Sequence, residues 1–148
     1  MQHITVAIAL LAATALPSLA AETDEIAGLV GPAAPVGLSI QEKGALALGR
    51  EYPDDDLLAT RALRSRILVL EPGGVVPIHS HADRPAITYI LEGEVIEHRS
   101  DSAEPIVRQR GDVTFDGDGL AQWWSNETDE RVVFYVVDLF DTGSTPDH

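Results

Sequence analysis

From Leu38 onward the chain is built of short apolar runs separated at close intervals by turn-forming residues, and no stretch there keeps a helical period long enough for a substantial helix. Runs of this length bounded by Gly, Pro, Asn and Asp read as strands, because those residues supply the backbone conformations that a tight reversal needs. Strands are expected at 38–41, 45–48, 64–71, 75–81, 86–91, 94–98, 106–108, 112–115, 122–125 and 131–139. Pro72-Gly73-Gly74 closes one of them, Glu92-Gly93 marks a tight turn between two others, and 52–56 is a loop. Many short, evenly spaced strands predict an all-β sandwich or barrel, of which the jelly roll manages its edges by pairing two sheets. No internal repeat is visible, and 148 residues make a single domain of ordinary size.

The ends of the chain differ from this middle. Residues 1–20 contain no Asp, Glu, Lys or Arg, and an apolar run from Ile4 to Leu16 is followed by Pro17-Ser18-Leu19-Ala20. An apolar stretch too short to span a bilayer, then a small-x-small site, is the pattern of a cleavable signal peptide with its cut before Ala21. Its n-region, Met1-Gln2-His3, is atypical in lacking Lys and Arg. Export follows as an expectation, to the periplasm or beyond. Residues 21–36 mix acids with Gly, Ala and Pro and are expected as a flexible lead-in, 37–140 as the barrel domain, and 141–148 as a polar tail.

Composition removes several functions. The sequence holds no Cys, so disulfides, thiolate catalysis, Cys-ligated zinc and iron–sulfur clusters are all excluded. The net charge of −14 comes from 24 acidic and 10 basic residues. Such a balance argues against nucleic-acid partners and against docking on anionic lipid, both of which call for basic patches.

The residues that carry chemistry lie in the middle. Successive side chains on a strand alternate faces, so in His79-Ser80-His81 the two imidazoles project together if the segment is extended. Two neutral imidazoles side by side can hold one transition-metal ion. The surrounding spacing adds to this pair. Gly73 is followed by five residues, His79-Ser80-His81, four residues, Ala86, six residues and Gly93. Further on, Gly111 is followed by five residues, Gly117-Asp118-Gly119, two residues, Gln122, three residues and Asn126.

This arrangement closely resembles the two sequence motifs of the cupin superfamily, over 73–126, with flanking strands extending the likeness to about 38–139. The resemblance implies a single-domain jelly-roll β-barrel. It also implies a metal site of three His and one Glu, from which the chain departs. Ala86 stands at the Glu position, Gln122 at the third His position, and Gly117 at the motif proline. The implied metal ligands are therefore His79, His81 and the Gln122 amide oxygen. A 2-His-1-carboxylate iron site needs an anionic oxygen that Ala86 does not supply. Asp83 and, less favourably placed, Glu92 are alternative acids, although a solvated loop acid is the simpler reading of Asp83. Thr88 shares parity with Ala86 and can hold a water. Trp124 shares parity with Gln122 and should face inward, with Trp123 facing outward. Arg84, just past the His pair, can receive a substrate carboxylate. Tyr89 is expected outside the barrel, His98 at the surface, and Arg64 and Arg66 either solvated or on the rim.

Several functions remain open on these residues. The resemblance implies an exported enzyme of the dioxygenase, isomerase or lyase kind, using Fe, Mn, Zn, Ni or Cu at His79 and His81. The alternative is a metal-free or weakly metallated binding protein for a sugar or organic acid. A third possibility is an interaction or storage protein with structural histidines. The expected partners are a small molecule and a second copy of the chain, paired through edge strands as cupin-like barrels commonly are.

Overall fold

The computed structural model describes residues 21–143. The expected signal segment and residues 144–148 of the tail lie outside the described residues. The architecture is all-β, with a single-turn helix α1 (Leu48–Glu51) as the helical element among the described residues. No helix among them is long and apolar enough to cross a membrane.

The sheet is organised around β4 (Arg61–Ser80). Its first half pairs antiparallel with β3 (Val36–Ala47) on one side and with β10 (Val132–Asp141) on the other. Its second half pairs instead with β9 (Ala121–Ser125), placing His79 opposite Gln122. From β10 the sheet continues through β5 (Ala86–Glu92) to β8 (Val113–Asp116), and from β9 through β6 (Glu94–Arg99) to β7 (Ile106–Gln109). The order β7-β6-β9-β4-β10-β5-β8, with β3 laid against β4, is a half-barrel sheet consistent with a jelly roll. One strand thus belongs to both wings.

Pro72-Gly73-Gly74 does not end that strand as the sequence suggested; it bends it. Gly73 sits at φ 71°, a conformation glycine adopts without a Cβ penalty. The bend is pinned from β9's end by Asn126. The Gly73 N–H donates to the Asn126 carbonyl and the Asn126 N–H to the Gly74 carbonyl. The Asn126 amide donates to the carbonyls of Leu70, Glu71 and Glu130 at 3.1, 3.1 and 2.8 Å. The wings close over Leu70, Ile90, Val95, Val132, Phe134 and Trp124, each at most 3% exposed. Fully burying an aliphatic or aromatic side chain of this size contributes about 1.5–3 kcal/mol.

Three further expectations change. The two short strands at 38–41 and 45–48 are one strand, β3, interrupted by a bulge between Glu42 and Gly44. The 21–36 segment carries a hairpin, β1 (Thr23–Ile26) and β2 (Leu29–Pro32). Its turn, Ala27-Gly28, has positive φ at both residues, the requirement of a type I′ turn. A Cβ built on Gly31 would lie 2.5 Å from the Trp123 ring, so the hairpin rests on that indole. Finally, β10 runs to Asp141, one residue into the expected tail.

Candidate functional site

A cavity of about 50 Å³ lies on the inner face of the sheet. His79, His81, Arg84, Thr88, Gln122 and Trp124, all singled out from the sequence, line it together. Its apolar wall includes Phe134, on which Trp124 packs edge-on at 5.5 Å.

The two imidazoles are oriented by backbone carbonyls. His79 Nδ1 lies 2.9 Å from the Pro77 oxygen and His81 Nδ1 lies 3.0 Å from the Arg84 oxygen. A carbonyl only accepts, so each Nδ1 carries the hydrogen and, in the neutral ring, each Nε2 presents a lone pair. Burial keeps the rings neutral: it pulls His79 down to about 3 against the Pro77 hydrogen bond, and it lowers His81 as well. The two Nε2 atoms face one another at 3.2 Å. The Gln122 amide donates to His81 Nε2 at 2.9 Å, and its own Oε1, buried, makes no hydrogen bond to the protein.

This donor set fits a transition metal in part. Two nitrogens each about 2.1 Å from a common ion and about 100° apart are separated by ~3.2 Å, the spacing seen between the Nε2 atoms. Rotation of the Gln122 amide would bring the unpartnered Oε1 to the same place. Negative charge is what the set lacks. Ala86 is buried and faces inward, between Asp138 on β10 and Asp116 on β8, its direct partners across the sheet. Both acids are committed elsewhere. Asp116 takes Arg99 at 3.0 Å. Asp138, 1% exposed, takes Arg64 at 2.7 Å, Arg66 at 3.0 Å and Arg84 at 3.5 Å. Accordingly, no three His, Asp or Glu residues among the described ones gather as a metal-holding group.

The arginine cluster is the part of the site that the sequence reading missed. Arg64 and Arg66, expected as solvated or on the rim, are both 8% exposed and inside. Alternation along β4 puts them on the same face as Leu68 and Leu70, and Asp138 compensates them from the neighbouring strand. Burial alone would raise the Asp138 pKa, but the Arg64 hydrogen bond and the charges of Arg66 and Arg64 hold it below the ordinary carboxylate value. Asp83 is exposed in the turn after the His pair, and Glu92 is exposed beside Arg131 at 3.1 Å. Neither lines the cavity. Trp123 faces away from the cavity, stacked on His98 at 3.5 Å; Tyr89 is outside, 39% exposed.

A half-barrel of antiparallel strands holding an inward His-x-His pair defines a jelly-roll protein of the cupin type. A family model described as Cupin domain matches residues 66–138, and the chain belongs to the cupin superfamily. It is similar to a predicted oxalate decarboxylase from Thermotoga maritima, with 21% identity and a TM-score of 0.54, over 70% of this chain and 80% of that one. It is also similar to the Cnp3 cupin domain of Schizosaccharomyces pombe, with 14% identity and a TM-score of 0.55, over 74% and 65% of the two chains. A Cupin 2 conserved barrel domain protein from Salinispora arenicola shows 21% identity and a TM-score of 0.52, over 70% and 76%. These likenesses describe the fold. No curated protein matches the chain.

Proposed function

We propose that the cavity holds one divalent transition metal through His79, His81 and Gln122, and that the protein acts on a small molecule there, in a dioxygenase-, isomerase- or lyase-like reaction. The observation that carries this reading is the opposed pair of Nε2 lone pairs at 3.2 Å, each ring fixed by a carbonyl on its other nitrogen. Such second partners are what orient metal-binding imidazoles. A metal in this position would supply a Lewis acid with positions open to a ligand. The chain's own residues would do the rest: Thr88 and Gln122 offer hydrogen bonds, and Trp124 and Phe134 exclude water. Elemental analysis of the untagged protein tests it. One metal per chain in the wild type, lost in His79→Ala, is expected; no metal under any loading condition removes the reading.

A second reading, a metal-free binding barrel for a sugar or organic acid, is favoured by one observation: Ala86 offers no acid, and its inward neighbours Asp116 and Asp138 are held by arginines. Ligand-induced shifts of the thermal midpoint in chelator-treated protein would support it, since a ligand that binds only the folded state raises that midpoint.

We also infer export, from the pattern of residues 1–20, and a homodimer, formed by a sheet face rather than a strand edge. The outward rows Ser65–Val137–Ile87–Phe115 and Ile67–Tyr135–Tyr89–Val113 carry no charged side chain, in a chain of net charge −14. Phe115 is 69% exposed and Ile87 47%. A twofold axis would set this neutral face on its own copy and keep the acidic remainder apart. Leu63, Leu91 and Leu46, all exposed, extend the apolar surface on the same side of the sheet, which is the kind of face a standard interface of ~800 Å² per partner covers.

A further inference from the structure

We propose that the cavity takes an uncharged amphiphile, with a hydroxyl head that meets Arg66 and Gln122 and an apolar tail that leaves along Leu38 and Ile40 of β3. The inference rests on the reading of this cavity as the ligand site and names the class of ligand; it does not depend on the metal.

The pairing of β3 with β4 sets which of its side chains face inward. Leu38 lies opposite Leu70, Ile40 opposite Leu68 and Glu42 opposite Arg66, and direct partners on antiparallel strands share a face. Leu38 and Ile40 both line the cavity, yet Ile40 is 45% exposed. The apolar wall of Leu68, Val76, Trp124 and Phe134 therefore runs out to solvent over an apolar lip. The enclosed space is small beside that wall. A water needs roughly 10–15 Å³ of such cavity volume, so about 50 Å³ encloses only a few non-hydrogen atoms. A ligand that covers the wall must extend past the lip, and an apolar tail there removes Ile40 from water.

Two polar atoms of the lining lack partners. Arg66 is 8% exposed, and while one Nη bonds Asp138 at 3.0 Å its buried Nε makes no hydrogen bond to the protein. Gln122 Oε1, also buried, makes none either. Buried polar groups are ordinarily satisfied. One is a donor and the other an acceptor, and a hydroxyl serves both. A sugar would press its remaining hydroxyls against Leu68, Val76 and Phe134, where burial without a partner is costly.

The electrostatics favour a head without charge. The Arg66 guanidinium already has Asp138, and Glu42 acts on it from β3. Arg84 is paired with Asp138 at 3.5 Å. Glu42 is exposed and shares the inner row with Ile40, so an acid stands at the lip, in a chain of net charge −14. An anion would enter against that field, and a cation would meet Arg66 inside.

Linear alcohols provide the test. Propan-1-ol, pentan-1-ol and hexan-1-ol, against butyl methyl ether, hexanoate and erythritol, are titrated by calorimetry into the full protein after chelator treatment. Affinity among the alcohols should rise about threefold per added methylene. The ether, which accepts but cannot donate, should bind at least fivefold more weakly than pentan-1-ol. Hexanoate and erythritol should bind at least tenfold more weakly than hexan-1-ol. Ile40→Ser, at an exposed position, should weaken hexan-1-ol at least threefold and leave propan-1-ol unchanged, and Gln122→Leu should abolish the preference for alcohol over ether. Hexanoate or erythritol matching hexan-1-ol would overturn the proposal. So would affinity independent of chain length, indifference to Ile40→Ser, or no alcohol binding up to the millimolar range. If Gln122→Leu does not fold, the wild-type panel and Ile40→Ser still decide. Metal content is counted separately: alcohol binding in a protein that takes no metal sinks the metal reading alone, and one metal per chain without alcohol binding sinks this proposal alone.

Discussion

Asp138 is the residue on which most of the site leans, since its carboxylate is the shared partner of Arg64, Arg66 and Arg84. Breaking a buried ion pair by removing one partner costs about 3–5 kcal/mol, because uncompensated charge stays inside. Asp138→Asn should therefore lose about that much stability, measured by urea unfolding at neutral pH. The pH dependence follows from its depressed pKa. A carboxylate held below its unfolded value of about 3.9 contributes stability that is complete above that pH and is lost as the pH falls through the lower, folded value. The wild-type advantage over Asp138→Asn should thus shrink as the pH drops below about 4. At Ala86, introduction of Glu should tighten metal binding, read by competition with a chelating dye; unchanged affinity would mean that the new carboxylate goes to Arg84 instead. Much of the site was legible at this scale: His79, His81 and Gln122 stand at motif positions, and parity alone turned Trp124 inward. Arg66 and Asp138 were not, because an alternating Arg-x-Arg reads as a solvated face until the strand carrying the buried acid is laid beside it.

Among the elements, the Glu92-Gly93 turn was readable because Gly93 occupies a backbone conformation that side chains avoid, whereas the same signal at Gly73 marks a bend inside β4 and not its end. At Gly93 a Cβ would also come within 2.6 Å of the Arg131 carbonyl. Strand joins were less readable, since β3 continues through its bulge and β4 through its bend, where it exchanges β10 for β9 as a partner, which local composition cannot show. The β1–β2 hairpin was hidden for another reason. It has little apolar alternation of its own, and a flat indole meets it at a glycine. Gly31→Val should lift it from Trp123, costing about 1–3 kcal/mol as an overpacked contact does. Limited proteolysis should then cut within 21–36 well before the barrel, with Trp123 emission shifted to the red; resistance equal to wild type would show that the hairpin is held elsewhere.

At the level of the whole molecule, the neutral face on β4, β10, β5 and β8 sets the expected assembly. Phe115→Glu should place a charge at the β8 edge of each paired face, where the most exposed apolar side chain stands, and convert a dimer to a monomer by light scattering, with the thermal midpoint of the metal-free barrel little changed. A wild-type monomer at high micromolar concentration would refute the pairing. The shared strand has a different consequence. Arg66 and His79 are borne by one continuous segment, so the span between the arginine cluster and the imidazole pair that line the cavity is measured out along a single backbone. Divergence in ligand length among related chains should accordingly appear as exchanges of side chains along that ruler, while insertions and deletions in the connecting loops leave the choice of ligand untouched.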